Sequence, residues 1–146
     1  MRLASFGLSA LAVVTACLAV PEVVDGVFMA RGTHSLGEPG MAALLRGQLA
    51  VRDGCLVVVD SGWFGNDPVL VVWAREYSVH RDGDRLRVFE GDRAVVAVGD
   101  LAEIGGGEVP AEQIPRLTSS QIPTECRAPK YYVGNVTKPS AVAPSR

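Results

Sequence analysis

From residue 49 to residue 136 short apolar runs alternate with tight polar turns. Leu49-Ala50-Val51 and Cys55-Leu56-Val57-Val58-Val59 flank Arg52-Asp53-Gly54, where Asp-Gly supplies the positive φ that a two-residue hairpin turn requires, so the two runs predict paired strands. The device recurs. Asp82-Gly83-Asp84 separates Ser78-Val79-His80-Arg81 from Arg85-Leu86-Arg87-Val88-Phe89, and Gly91-Asp92-Arg93 separates that run from Ala94-Val95-Val96-Ala97-Val98. Val69-Leu70-Val71-Val72-Trp73 is continuously apolar and rich in branched side chains, which predicts a strand buried on both faces. Leu101-Ala102-Glu103-Ile104 reads as a short strand ending in Gly105-Gly106-Gly107, and Tyr131 to Val136 as the last strand. Pro110, Pro115, Pro123 and Pro129 exclude a long helix or a central strand between these two. Six or seven short strands at this turn spacing predict an all-β domain. The expected architecture is a small antiparallel barrel of the OB-like Greek-key type, with a flattened sandwich as the alternative.

The amino-terminal pattern is different. Arg2 is followed by an apolar stretch that no acid interrupts before Glu22. Such a stretch is too short to span the roughly 30 Å of a bilayer core as a permanent helix, and it suits the apolar region of a signal peptide. Val14-Thr15-Ala16-Cys17 resembles the bacterial lipobox, in which a branched apolar residue and two small ones precede the cysteine that receives diacylglycerol. On this reading residues 1–16 are a signal peptide, Cys17 is lipidated, and the protein sits on the extracytoplasmic face of the cell membrane. The competing cleavage, after Ala19 with Cys17 at the −3 position, gives a freely secreted protein. Residues 17–40 carry closely spaced glycine and proline and predict a lipid-anchored tether. The domain is expected over 41–137, with a turn or two of helix at Met41 to Arg46, and the Pro/Ala/Ser-rich tail at 138–146 is expected to be disordered.

A formal net charge of -2 over 146 residues provides no basic field for nucleic acid, and aromatics at 6% are too sparse for a stacking platform. With Cys17 assigned to the anchor, Cys55 and Cys126 remain in an exported chain and read as a disulfide. That bond would close a loop of about 72 residues, for which chain entropy gives roughly 4 kcal/mol of stabilisation.

Candidate chemistry is sparse. Gly105-Gly106-Gly107-Glu108 has two readings: a concavity of backbone N–H groups for an anion, or a bulge or barrel corner where a side chain would clash. The phosphate-loop lysine and hydroxyl residue do not follow it. Strand alternation that turns Tyr77 and Val79 inward sends Ser78 and His80 outward, and His34 lies in the expected tether, so no metal site is read from the two histidines. No G-x-S-x-G and no C-x-x-C occurs. Catalytic residues, a metal and a cofactor are therefore not expected. Trp63 and Phe64, between Gly62 and Gly65, either plug an end of the barrel or offer a stacking face for a sugar or peptide of the wall. Together with Gly105, Gly106, Gly107 and Glu108 they form the candidate binding surface.

Asp53-Gly54-Cys55-Leu56, Val72-Trp73, Val98-Gly99-Asp100, Gly105 to Pro110, Ile122-Pro123-Thr124-Glu125-Cys126 and Pro129 to Gly134 form an ordered series. In these motifs the chain resembles a family of small exported and lipid-anchored proteins of high-GC Gram-positive bacteria for which no activity is assigned. The family usually continues from the tryptophan into proline, whereas here Trp73 is followed by Ala74. The resemblance implies an exported, lipid-anchored protein, and the lack of a convergent His/acid or Ser/His set makes the expected function binding or scaffolding in the envelope without catalysis. Its expected contacts are the membrane through the lipid and cell-wall or envelope proteins, with no nucleic acid. A secreted enzyme or metal carrier with an unrecognised site is the alternative.

Overall fold

The computed structural model of the chain describes residues 22–36, 43–60 and 66–137. Its strands begin where the turn chemistry places them. Asp53 and Gly54, with φ of 50° and 76°, turn β3 (Ala43–Arg52) back into β4 (Cys55–Asp60), the two positive φ angles matching the twist of the strands they join. β4 pairs antiparallel with β5 (Pro68–Trp73). The chain then makes a three-stranded antiparallel meander, β6 (Tyr77–Asp82), β7 (Arg85–Glu90) and β8 (Arg93–Ala97), before returning as β9 (Leu101–Val109) and β10 (Lys130–Val136). β9 pairs with β3 on one side and β10 on the other, and β10 pairs with β5.

These pairings close a five-stranded barrel in the order β3-β4-β5-β10-β9 and back to β3, the Greek-key connectivity of an OB-type barrel. One expectation is corrected. The barrel is not wholly antiparallel, because β5 and β10 run parallel, with Lys130 opposite Val69 and Gly134 opposite Trp73. After the meander the chain returns as β9 antiparallel to β3, and β10, antiparallel to β9, therefore runs in the direction of β5.

Two apolar clusters follow from the alternation of β4 and β5. Leu56, Val58, Val69, Val71 and Trp73 fill the barrel interior together with Leu45, Leu49, Ile104 and the inward side chains of the meander, among them Tyr77, Val79 and Val88. Val57, Leu70 and Val72 point the other way, into a second cluster with Phe28, Ile114, Ile122 and Tyr131. The run at 69–73 is thus buried on both faces, as its continuous apolarity predicts.

Three further expectations are corrected. Residues 43–46 belong to a strand, not a helix: Leu45, Gly47 and Leu49 are buried and Leu44, Arg46 and Gln48 exposed, a period of two. Residues 22–36 are not a spacer but part of the folded body. Asp25 and Gly26, with φ of 52° and 73°, make another Asp-Gly turn, between β1 (Val23–Val24) and β2 (Val27–Phe28). Val27 to Ala30 are buried, Phe28 pairs with Cys55, and Arg31 pairs with Trp73. The strand expected to end at Gly105 continues through all three glycines to Val109.

Cys55 and Cys126 are disulfide-bonded with Cα atoms 5.4 Å apart, and both are buried. The bond fastens the β9–β10 connection to the start of β4. Near the other end of β10, the backbone N–H of Val136 donates to the Tyr77 hydroxyl at 3.0 Å, while the Tyr77 ring meets Trp73 edge-on at 5.6 Å. Burial pushes the Tyr77 hydroxyl up to about 12, against the opposing pull of the Val136 hydrogen bond.

Two outcomes are expected. The double variant Cys55→Ala/Cys126→Ala should lose roughly 4 kcal/mol of stability in urea unfolding, the chain entropy of the open loop. Tyr77 is a neutral acid whose pKa is raised by folding, so its contribution is complete below pH 10, the ordinary value, and is lost as pH rises towards about 12. Between pH 9 and 12 the wild type should lose up to about 2–3 kcal/mol more stability than Tyr77→Phe in urea unfolding, the variant keeping the smaller loss that the raised Tyr132 hydroxyl contributes.

Candidate functional site

The connection between β9 and β10 is the least regular part of the described chain, and it encloses a cavity of ≈ 770 Å³. Its course follows from its prolines and hydroxyls. Pro110 ends β9 in an extended conformation, a 3-10 turn follows at Ala111–Gln113, and α1 (Ile114–Leu117) has Pro115 in its first turn, where an absent N–H costs nothing. The Thr118 hydroxyl donates back to the Ile114 carbonyl at 3.0 Å and Thr118 itself is extended, so the helix stops. A second 3-10 turn, Thr124–Cys126, delivers Cys126 to Cys55.

The arch is tied down along its length. Thr33 N–H donates to Leu117 O at 3.0 Å, and Ser119 N–H donates to Arg31 O at 2.8 Å. The hydroxyls of Ser119 and Ser120 both donate to the Glu22 carboxylate. Ile114 and Ile122 drop into the outer apolar cluster. Between these ties the cavity has an apolar floor of Ile114, Ile122 and Tyr131. Glu112 and Arg127 also line it; both are exposed, and among the described residues neither side chain is engaged in a hydrogen bond or ion pair.

Among the described residues, none of the sequence-predicted site residues lines this cavity. Cys17, Trp63 and Phe64 lie outside the described residues. Gly105, Gly106, Gly107 and Glu108 form no turn; they lie within β9, opposite Asn135, Gly134, Val133 and Tyr132 of β10. Gly105 and Gly106 also face Leu44 and Ala43 of β3. Their backbone groups serve the two ladders, so the anion concavity is not formed. The steric reading holds instead. A Cβ on Gly106 would enter the Val133 carbonyl, one on Gly134 would press on the Gly105 carbonyl, and one on Gly105 would meet the Thr137 methyl. Glu108 is exposed.

His80 is exposed as its alternation predicts, with its Nε2 2.9 Å from the Ser78 hydroxyl and its ring edge-on to Phe89 at 5.5 Å. His34 lies in the folded segment 22–36, and its carbonyl accepts the N–H of Arg75 at 3.0 Å. Among the described residues no group of three or more His, Cys, Asp or Glu is gathered as a metal site. Asp100 pairs with Arg85 at 2.6 Å, and the same guanidinium holds the Val98 carbonyl, fixing the turn between β8 and β9. Two further acids have shifted values, both away from the cavity. Burial works to raise the Glu76 carboxyl, but hydrogen bonds from its own backbone, the Leu36 N–H and the Ser35 hydroxyl, with the nearby Arg75, bring it below its ordinary value. Burial raises the Tyr132 hydroxyl above its ordinary value.

The sequence did carry a signal for the cavity. Connections longer than about 12–15 residues are uncommon in compact domains unless they are functional or disordered, and the stretch from Pro110 to Pro129 is punctuated by Ile114 and Ile122, which disorder does not need. The glycine reading is open to measurement. Gly106→Ala should cost at least about 3 kcal/mol in urea unfolding, because backbone rather than a flexible side chain must give way. Gly83→Ala, with nothing within 4 Å of its Cβ, should cost only the positive-φ strain of about 1 kcal/mol.

Comparison with protein-family models, with curated proteins and with solved structures gives no match to this chain.

Proposed function

We propose that this chain is a non-catalytic binding module, held at the outer face of the membrane by a lipid on Cys17, and that it takes its ligand in the cavity under the β9–β10 connection. The cavity carries the reading. Its ≈ 770 Å³ falls within the range of about 300–1,000 Å³ usual for small-molecule sites, and it combines an apolar floor with a few polar and charged groups at the rim. The fold adds an analogy: OB-type barrels use the face of their second and third strands and the loop between the fourth and fifth to hold ligands. Those elements are β4, β5 and the β9–β10 connection here, and the connection lies across the outer face of β4 and β5.

A binding site needs shape and a few fixed anchors, whereas acid–base or nucleophilic work needs partners within hydrogen-bond reach of one another. Glu112 and Arg127 line the cavity, and among the described residues their side chains have no ion-pair partner, as suits anchors. Location rests on the lipobox resemblance of Val14-Thr15-Ala16-Cys17 and on the resemblance to exported, lipid-anchored proteins. The partners that follow are the membrane, through the lipid, and cell-wall or envelope components.

Gln121 lines the cavity, is exposed and has no hydrogen-bond partner among the described residues, so Gln121→Trp fills the site without removing a described tie. Retention of the exported protein on washed cell-wall fractions should fall about tenfold in this variant, with its melting temperature unchanged. Equal retention would remove the cavity as the binding site, and a turnover activity abolished by His80→Ala would overturn the non-catalytic reading. Fatty-acid labelling in the native host should mark the wild type and not Cys17→Ala; equal label in both would sink the anchor.

A further inference from the structure

We infer that the β9–β10 connection and its cavity form the face this protein holds toward the bilayer, an inference that rests on the anchor and binding readings above and gives the site its place in the envelope. The folded body begins closer to the lipid than the sequence leads one to expect. Residues 17–40 read as a tether, but Glu22 already belongs to the fold: its carbonyl accepts the Met29 N–H at 2.8 Å, and β1 starts at the next residue. Glu22 follows Cys17 by five residues. A stretch of that length spans at most about 18 Å, however it is arranged.

The other end of this leash is fastened to the cavity. The hydroxyls of Ser119 and Ser120 donate to the Glu22 carboxylate, and both serines line the cavity. One glutamate side chain and one hydrogen bond add less than about 8 Å, so that part of the lining stays within roughly 25 Å of Cys17. A folded body of this size is about 35 Å across. Turning the cavity away from the membrane would lift Glu22 by about that whole width, twice what the leash allows. No adhesive patch is required. A formal net charge of -2 gives the body no pull of its own toward an anionic leaflet, so the orientation follows from where the chain enters the fold. The ligand is accordingly met beside the headgroups, and one presented at the membrane surface meets the site at the high effective concentration of a tethered encounter.

The test uses the mature lipid-bearing protein, isotope-labelled at its isoleucine and leucine methyl groups, in vesicles of phosphatidylglycerol and phosphatidylethanolamine that carry a nitroxide on some headgroups. Ile114 and Ile122, under the connection, should lose most of their methyl signal. Leu101, exposed at the opposite end of β9 and about 26 Å along the strand from Val109, should keep its own. A Gly-Ser spacer of about 20 residues between Val20 and Pro21 adds roughly 25 Å of reach and should even out the two signals, with the melting temperature unchanged. Equal loss at both ends of the vesicle-bound wild type, or greater loss at Leu101, would overturn the orientation and leave the anchor standing. A spacer variant that keeps the wild-type pattern would show the connection adhering by itself and overturn the leash. Failure of the wild type to sediment with the vesicles would overturn anchor and orientation together, while wall retention weakened by Gln121→Trp would still assign the cavity as a binding site.

Discussion

Leu56, Val58, Val69 and Val71 point into the barrel while Val57, Leu70 and Val72 point away from it, so β4 and β5 bring an apolar surface to each side of one sheet. A barrel interior satisfies only one of those sides. Left to water, the other would forfeit roughly 1.5–3 kcal/mol for each large side chain, a sum comparable with the whole stability of a small domain. The rest of the structure answers that constraint. Phe28 and Ala30 cover the outer face from the amino-terminal side, and Ile114, Ile122 and Cys126 cover it from the β9–β10 connection. The disulfide sits at this seam, joining the covered strand to its cover. The cavity is lined by the cover and by Tyr131 at its edge. It is therefore a consequence of the same arrangement that stabilises the fold.

Closure of the barrel imposes a second condition. Five strands make a narrow ring, and the ladders on both sides of β9 bring backbone against backbone. Gly47 on β3, Gly105 and Gly106 on β9, and Gly134 on β10 are the positions where a Cβ would enter a neighbouring carbonyl or methyl. Gly106 and Gly134 are directly opposite each other. The triple glycine looks like a phosphate cradle when met as a motif, and its role becomes clear only from what lies across the ladder. Interior volume is limited as well, and the barrel shares one apolar cluster with the inward side chains of the β6–β8 meander. The indole of Trp73 and the ring of Tyr77 meet within that cluster.

What could be read from the sequence divides along physical lines. Features set by local chemistry were legible: the Asp53-Gly54 hairpin, the strands of the meander, the doubly buried run at 69–73, the outward His80 and the all-β barrel itself. The Cys55–Cys126 bond was legible because only two cysteines remained after Cys17 was set apart. Two local signals were present and outweighed. The period of two in Leu45-Arg46-Gly47-Gln48-Leu49 was masked by the helix-forming composition of Met41 to Arg46, and the turn at Asp25-Gly26 by the density of glycine and proline around it. The parallel pairing of β5 and β10 was not legible at all, because it depends on how far the meander carries the chain. The cavity left only a coarse trace, a long connection carrying Ile114 and Ile122, because its lining from Ala111 to Tyr131 has no periodicity to mark it.

Rigidity and freedom to change are thus carried by different parts of the chain, and the proposed binding function would draw on the second. The barrel strands are locked by ladders on both edges, by glycine contacts that admit no side chain and by clusters on both faces, so few of their positions can change without loss of the fold. The connection has fewer obligations. Its ties to the body run through the Thr33 and Ser119 backbone bonds, the Glu22 carboxylate, two isoleucines and one disulfide, which leaves the side chains of Glu112, Gln121 and Arg127 without hydrogen-bond or ion-pair partners among the described residues. Side chains in that position can be exchanged at little cost in stability, yet they stand on a backbone fixed at several points. A scaffold that separates the two tasks in this way can retune what it holds by substitutions at the rim alone, while the covered sheet beneath continues to set the shape of the site.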